Sequence, residues 1–159
     1  SRMIVMKTIK MKNISRRNAI VLMLGTAGYM MSSKIVFAGK EQVLKRIDEI
    51  TKGKGVKELD IFLDLPEIAE NGNQVKVNFE IESEMTEENY IKNVYILADG
   101  NPAPDVAKFS FTPDMGMCSA TTRIRLSKTQ NVVLVAENNK NEYFMTKSKV
   151  KVTIGGCGG

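Results

Sequence analysis

Residues 74–82 read QVKVNFEIE, and the fold class follows from this stretch. Val75, Val77, Phe79 and Ile81 alternate with Lys76, Asn78, Glu80 and Glu82. A period of two puts the apolar set on one face of a β-strand and the polar set on the other. The Asn71-Gly72 pair just upstream is a turn signal. Further out, residues 60–65 alternate Ile61, Leu63 and Leu65 and then break at Pro66. Residues 119–126 alternate Ala120, Thr122, Ile124 and Leu126 against Thr121, Arg123 and Arg125. Residues 91–98, 106–111 and 143–154 read as strands too, and the apolar run at 131–137 suits a buried one. The turn Asp99-Gly100-Asn101-Pro102-Ala103-Pro104 separates two of them. About seven strands at short spacing predict an all-β fold, an Ig-like antiparallel β-sandwich. Before the strands, residues 41–52 (EQVLKRIDEITK) have helical spacing. Val43, Leu44, Ile47 and Ile50 are expected on one face of a short helix that Gly53 and Gly55 stop.

A chain of 159 residues, 43% hydrophobic and 26% charged, is suited to one globular domain. It has no histidine, no tryptophan and two cysteines. Histidine-based triads, histidine metal sites, Cys-rich zinc sites and disulfide-dense scaffolds are thereby excluded. The net charge of +5 is unevenly distributed: residues 1–38 hold seven basic and no acidic residues. The remaining 16 basic residues against all 18 acidic ones leave −2, so nothing in the domain argues for nucleic acid.

The basic segment has the outline of an export signal. Ser15-Arg16-Arg17 precedes the apolar run at 19–31, AIVLMLGTAGYMM, and Val36-Phe37-Ala38 resembles a cleavage site. The run is shorter than the roughly 20 residues of a membrane-spanning helix. Ser15, Arg16 and Arg17 resemble the twin-arginine signal, with Ala19 where that signal carries Phe. Another cleaved signal or a basic anchor shares this outline. The expected organisation is a cleaved twin-arginine signal at 1–38, a β-domain at 39–154 and a carrier arm at 155–159. The mature protein is expected in the periplasm, free of the membrane once the signal is cleaved.

The chain ends Val152-Thr153-Ile154-Gly155-Gly156-Cys157-Gly158-Gly159. Glycine loses the most backbone entropy on ordering, so Gly155, Gly156, Gly158 and Gly159 are expected to form a flexible arm. Cys157 then presents a thiol with no bulky neighbour, able to enter a narrow active site and hold a group through sulfur. No cation lies close in sequence to activate it; Lys151 is the nearest. A Cys157 disulfide between copies and an incidental cysteine are the other readings. Prenylation fails, because it needs the cysteine fourth from the end.

The ending VTIGGCGG resembles that of the SoxY family, sulfur carriers of bacterial thiosulfate oxidation. Residues 65–72 (LPEIAENG), 99–104 (DGNPAP) and 122–126 (TRIRL) are similar to further segments of that family. The resemblance implies a carrier, not an enzyme, with no cofactor and with Cys157 as the covalent attachment site. It implies a heterodimer with SoxZ. SoxXA would join thiosulfate oxidatively to Cys157, SoxB would release sulfate, and other Sox enzymes would act on the remaining sulfur. The alternatives are a structural β-sandwich dimerising through Cys157 and a thiol-disulfide exchange protein using both cysteines. The second lacks C-x-x-C spacing.

Cys118 is a departure from the family pattern and reads as a buried apolar residue. A bond from it to Cys157 would lock the carrier. Arg123 and Arg125 fit the solvated face of a strand, or steering of anionic thiosulfate. Met115 and Met117 fit packing or a partner surface better than copper. Glu82, Glu84, Glu87 and Glu88 fit a solvated turn better than Ca²⁺. Valine in place of Gly156 or Gly158 is expected to slow thiosulfate-dependent turnover while leaving the domain folded. Turnover with several partners, beside circular dichroism, checks this.

Overall fold

The computed structural model describes residues 39–156. The expected export signal, together with Cys157, Gly158 and Gly159, lies outside the described residues. Helix α1 covers residues 39–51. Val43 and Ile50 are buried, with Ile47 packed beside them. Leu44, expected on the same face, is instead 65% exposed. It lies at the edge of a stripe that positions 43, 47 and 50 already fill. Lys52 and Gly53 take left-handed φ values of 55° and 73°, and Gly53 N donates to Asp48 O at 3.1 Å, which ends the helix.

Nine strands follow: β1 Val56–Lys57, β2 Ile61–Asp64, β3 Ile68–Asn71, β4 Val75–Ile81, β5 Ile91–Ala98, β6 Asp105–Ser110, β7 Cys118–Ile124, β8 Gln130–Asn138 and β9 Tyr143–Ile154. One sheet has the order β1-β9-β8-β5-β6, with β3 also paired to β9. The other has the order β2-β4-β7. The seven expected strands are β2 and β4 to β9. The two extra ones, β1 and β3, are too short to show alternation and exist through β9.

Those two correct the expectation of a wholly antiparallel sandwich. β1 and β3 both pair parallel to β9, through Val56↔Tyr143 and through Ile68↔Lys151, Ala69↔Val152 and Asn71↔Ile154. The physical reason is the length of β9. Its antiparallel pairing with β8 ends at Gln130↔Val150. The backbone beyond still needs hydrogen-bond partners, and β3 supplies them.

The core lies between the sheets. Val75, Val77, Phe79 and Ile81 of β4 share one cluster with Val94 and Ile96 of β5 and with Val132, Leu134 and Ala136 of β8. Phe79 meets Phe109 and Phe111 edge-on, at centroid distances of 5.3 and 6.2 Å. Val133 and Val135 point the other way. With Leu97 and Tyr143 they pack beneath Val43 and Ile50 of α1. Strand β8 is therefore covered on both faces, which explains its unbroken apolar run. No helix among the described residues is long and apolar enough to cross a membrane.

Tyr143 is 1% exposed, and its hydroxyl has no hydrogen-bond partner among the described residues. A buried hydroxyl without a partner is a net cost. Tyr143→Phe is expected to raise stability by up to ~1 kcal/mol, read by urea unfolding. A loss of the same size would mean that the hydroxyl is bonded after all.

Candidate functional site

The arm leaves the fold from the end of β9, and the structure describes its first two residues. Three backbone segments meet at this end. Gly72 N donates to Ile154 O at 2.7 Å, Leu126 N to Gly72 O at 2.8 Å, and Gly156 N to Leu126 O at 2.8 Å. Gly156 is buried and hydrogen-bonded, whereas Gly155 is exposed. Cys157 itself lies outside the described residues, as do Gly158 and Gly159.

The segments can meet because side chains are missing. A Cβ on Gly72 would overlap Leu126 O and stand 2.7 Å from Gly156 N. A Cβ on Gly155 would overlap Ser127 O, and one on Gly156 would stand 2.7 Å from Gly72 O. Gly156→Val therefore disturbs packing at the base of the arm rather than the arm's freedom.

A buried polar network holds the turn that receives the arm. Asn101 is 5% exposed. Its Nδ2 donates to Arg125 O at 2.8 Å, and its Oδ1 accepts from Ser127 N at 3.0 Å and Gln130 Nε2 at 2.9 Å. Gln130 Oε1 accepts from Gly100 N at 2.7 Å, and Ser127 Oγ donates to Gly100 O at 2.9 Å. Asp99 accepts from Asn131 N and Nδ2 at 2.8 and 2.9 Å. Thr129 Oγ1 accepts from Val152 N at 2.9 Å, tying the same turn to β9. The segments 65–72, 99–104 and 122–126, far apart in sequence, thus converge on the base of the arm. Sequence reasoning placed Gly72 and Asn101 in turns that resemble segments of a known family, without a contact between them. Nothing local signals that the two turns meet.

Folding also brings cations to this end. Arg125 and Lys128 flank the two residues, Leu126 and Ser127, against which the arm packs. Lys76 stands directly across from Arg123 on the solvent face of the β4–β7 pair. Among the described residues none of these four is in an ion pair. Like charges opposite one another are unfavourable in a sheet. The acidic Glu67 and Glu70 of the β3 segment lie at the same end, and all these charges are screened over about 8 Å at physiological salt.

Cys118 is remote from this region. It opens β7 opposite Ile81, whereas Ile124, at the other end of the strand, faces Val75. That separation is about 20 Å along the strand. Cys118 is a free, buried thiol. Cys118 is 2% exposed, and burial pushes its thiol up to about 12. It matches the reading of a buried apolar residue. Met115 and Met117 are exposed beside a short 3-10 turn, Pro113–Met115, and Glu82, Glu84, Glu87 and Glu88 are solvated. Among the described residues no three His, Cys, Asp or Glu side chains gather as a metal site would need.

Comparison with known proteins gives one family. The model of the sulfur oxidation protein SoxY matches residues 47–157. The sulfur carrier protein SoxY from Chlorobium limicola f thiosulfatophilum is 28% identical, with a TM-score of 0.58, over 72% of this chain and 99% of that one. Superoxide reductase (neelaredoxin) from Ignicoccus hospitalis has a TM-score of 0.53 at 14% identity, over 58% of this chain and 79% of that one. The second likeness concerns the fold alone. No curated protein sequence matches the chain.

The Cys118 thiol yields a test of its burial. Its pKa rises from 9.0 in the unfolded chain to about 12 in the fold, so the native state keeps the proton longer. The associated stability is intact below about pH 9 and is lost as pH rises through about 12. Between those values Cys118→Ala is expected to lose stability less steeply than the parent protein, by up to ~1.4 kcal/mol per pH unit. Urea unfolding across this range checks it, and equal slopes would place the thiol in solvent.

Proposed function

Because the chain belongs to the SoxY family of sulfur oxidation proteins, we propose that Cys157 is the residue on which it carries sulfur. The chain is a sulfur carrier of sulfur oxidation. The observation that carries the finer reading is the order of parts at its end. A strand paired along its length runs into a docked glycine pair, and then comes one thiol between glycines. The family match runs as far as that cysteine.

The chemistry is a two-stage use of one thiol. The Cys157 thiol and thiosulfate form an S–S bond, giving a cysteine S-thiosulfonate, a proton and two electrons. The haem protein SoxXA is the acceptor that the family resemblance implies. Water then cleaves the bond between the sulfonate and the inner sulfur. Sulfate and two protons leave, and a persulfide stays on Cys157. The hydrolase SoxB is the implied partner for that step, and SoxZ the implied partner subunit. The cations Lys76, Arg123, Arg125 and Lys128 favour an anionic group near the base of the arm. The carrier acts in the periplasm, reached by the twin-arginine route that Ser15-Arg16-Arg17 supports.

The test is the mass of the tryptic peptide 152–159 from protein purified without reductant from cells grown on thiosulfate. Added mass on Cys157 matching sulfane sulfur or a thiosulfonate, removed by reductant, is expected. Cys157→Ser is expected to abolish that mass and the thiosulfate-dependent turnover while leaving the fold unchanged. A bare thiol, or only a symmetrical Cys157 disulfide, would favour a structural sandwich that dimerises through this residue. Full turnover by Cys157→Ser would end the carrier reading.

A further inference from the structure

The glycines before Cys157 invite one explanation, and the geometry favours another. A flexible arm uses glycine for its conformational range. Among the described residues, only Gly53 and Gly116 are glycines with positive φ. Gly72, Gly155 and Gly156 all have backbone angles open to other residues. What they share is the close approach of a carbonyl oxygen where a Cβ would stand. Their glycine identity therefore serves contact between segments of the chain.

We propose that Gly72, Gly155 and Gly156 form a clasp that sets the pivot of the carrier arm at Gly156, with Asn101 as its positioning residue. This deepens the reading of Cys157 as the carrier and rests on it. The clasp has three parts from distant sequence: the turn after β3, the turn after β7, and the end of β9. The Gly72 peptide donates to Ile154 and accepts from Leu126, and Leu126 in turn accepts from Gly156. Asn101 touches no part of the arm. It holds both Arg125 O and Ser127 N, on either side of Leu126, and so sets where the receiving carbonyls lie. Gln130, bonded to Asn101 and to Gly100, braces it from behind.

The consequence is a defined starting point for the thiol. Measured from Ile154, an extended arm would carry Cys157 about 10 Å, at roughly 3.3 Å per residue. Measured from Gly156, Cys157 is only about one residue length along the chain. A reacting group confined in this way meets a partner's active site with less orientational search. Among the described residues one backbone hydrogen bond secures Gly156, a hold weak enough for a partner to release when it needs greater depth.

The experiment compares the full-length protein with Gly72→Ala and Asn101→Ala, with Gly158→Ala as a control outside the clasp. Amide hydrogen exchange reads the clasp directly. The Gly156 amide is expected to be protected in the parent and to exchange about tenfold faster or more in the two clasp variants, with the β8 amides unchanged. Cys157 is then loaded by two routes. Tetrathionate reacts with the thiolate to give the S-thiosulfonate and release thiosulfate, and this small-molecule route needs no pivot. The second route is loading from thiosulfate by the partner that takes up the two electrons.

The clasp variants are expected to keep the tetrathionate rate within about twofold and to lose about tenfold in kcat/KM by the partner route. Gly158→Ala is expected to leave the Gly156 amide protected. A Gly156 amide that exchanges at the free-peptide rate in the parent would overturn the clasp. Variants with an open clasp and undiminished partner loading would overturn its positioning role. If Gly72→Ala fails to fold, Asn101→Ala decides the same question. A parent protein that tetrathionate loads but the partner does not would remove the carrier reading and the positioning role together, while the exchange data would still report the clasp.

Discussion

The end of β9 can meet the body of the protein only where side chains are absent. Three segments approach so closely that each brings a glycine or a bare carbonyl to the contact. A single methyl group at Gly72 or Gly155 would overlap a carbonyl oxygen. Everything at the carrier end depends on that constraint: the docking of Gly156 on Leu126, the course of β3 alongside β9, and the buried amide of Asn101 that holds the receiving turn. Backbone groups that would otherwise stand unpaired at a strand end are satisfied by one another.

The rest of the domain makes this end stiff. Strand β8 is covered by the second sheet on one face and by α1 on the other, so the central layer has apolar packing on both sides. Phe79, with Phe109 and Phe111 edge-on to it, fills the middle of the sandwich. This packing supplies the hydrophobic stabilisation of the domain. Cys118 takes part as a buried apolar side chain, with its thiol pushed up by the loss of solvent.

Much of this was legible in the sequence, and the limits were physical. Alternation marks a strand when one face is wet, so β4 and β7 could be read residue by residue. The run in β8 gave strand character but not the reason, because both of its faces are dry. β1 and β3 were invisible, since two or four residues carry no period and their pairing is parallel and remote. Leu44 was misplaced because a stripe of positions 43, 44, 47 and 50 is wider than the contact that α1 makes. At the candidate site, the terminal thiol stood out through composition alone. Asn101 did not, because its role is a contact between turns separated by more than twenty residues. The glycines at 155 and 156 stood out by composition, but the carbonyl oxygens that approach them closely did not.

Strand β9 has a mechanical consequence for a carrier. The arm is an extension of the longest strand in the fold, twelve residues that pair with β8 and with the shorter β1 and β3. A partner that drew on the proposed Cys157 arm would pull along the axis of β9. The hydrogen bonds to β8 and β3 lie across that axis, so they bear the load together in shear instead of opening one at a time. The bond from Gly156 to Leu126 lies at the end of this line. The domain can therefore be tugged by its arm repeatedly, giving up a little slack at the glycines while the sheet behind them keeps its register.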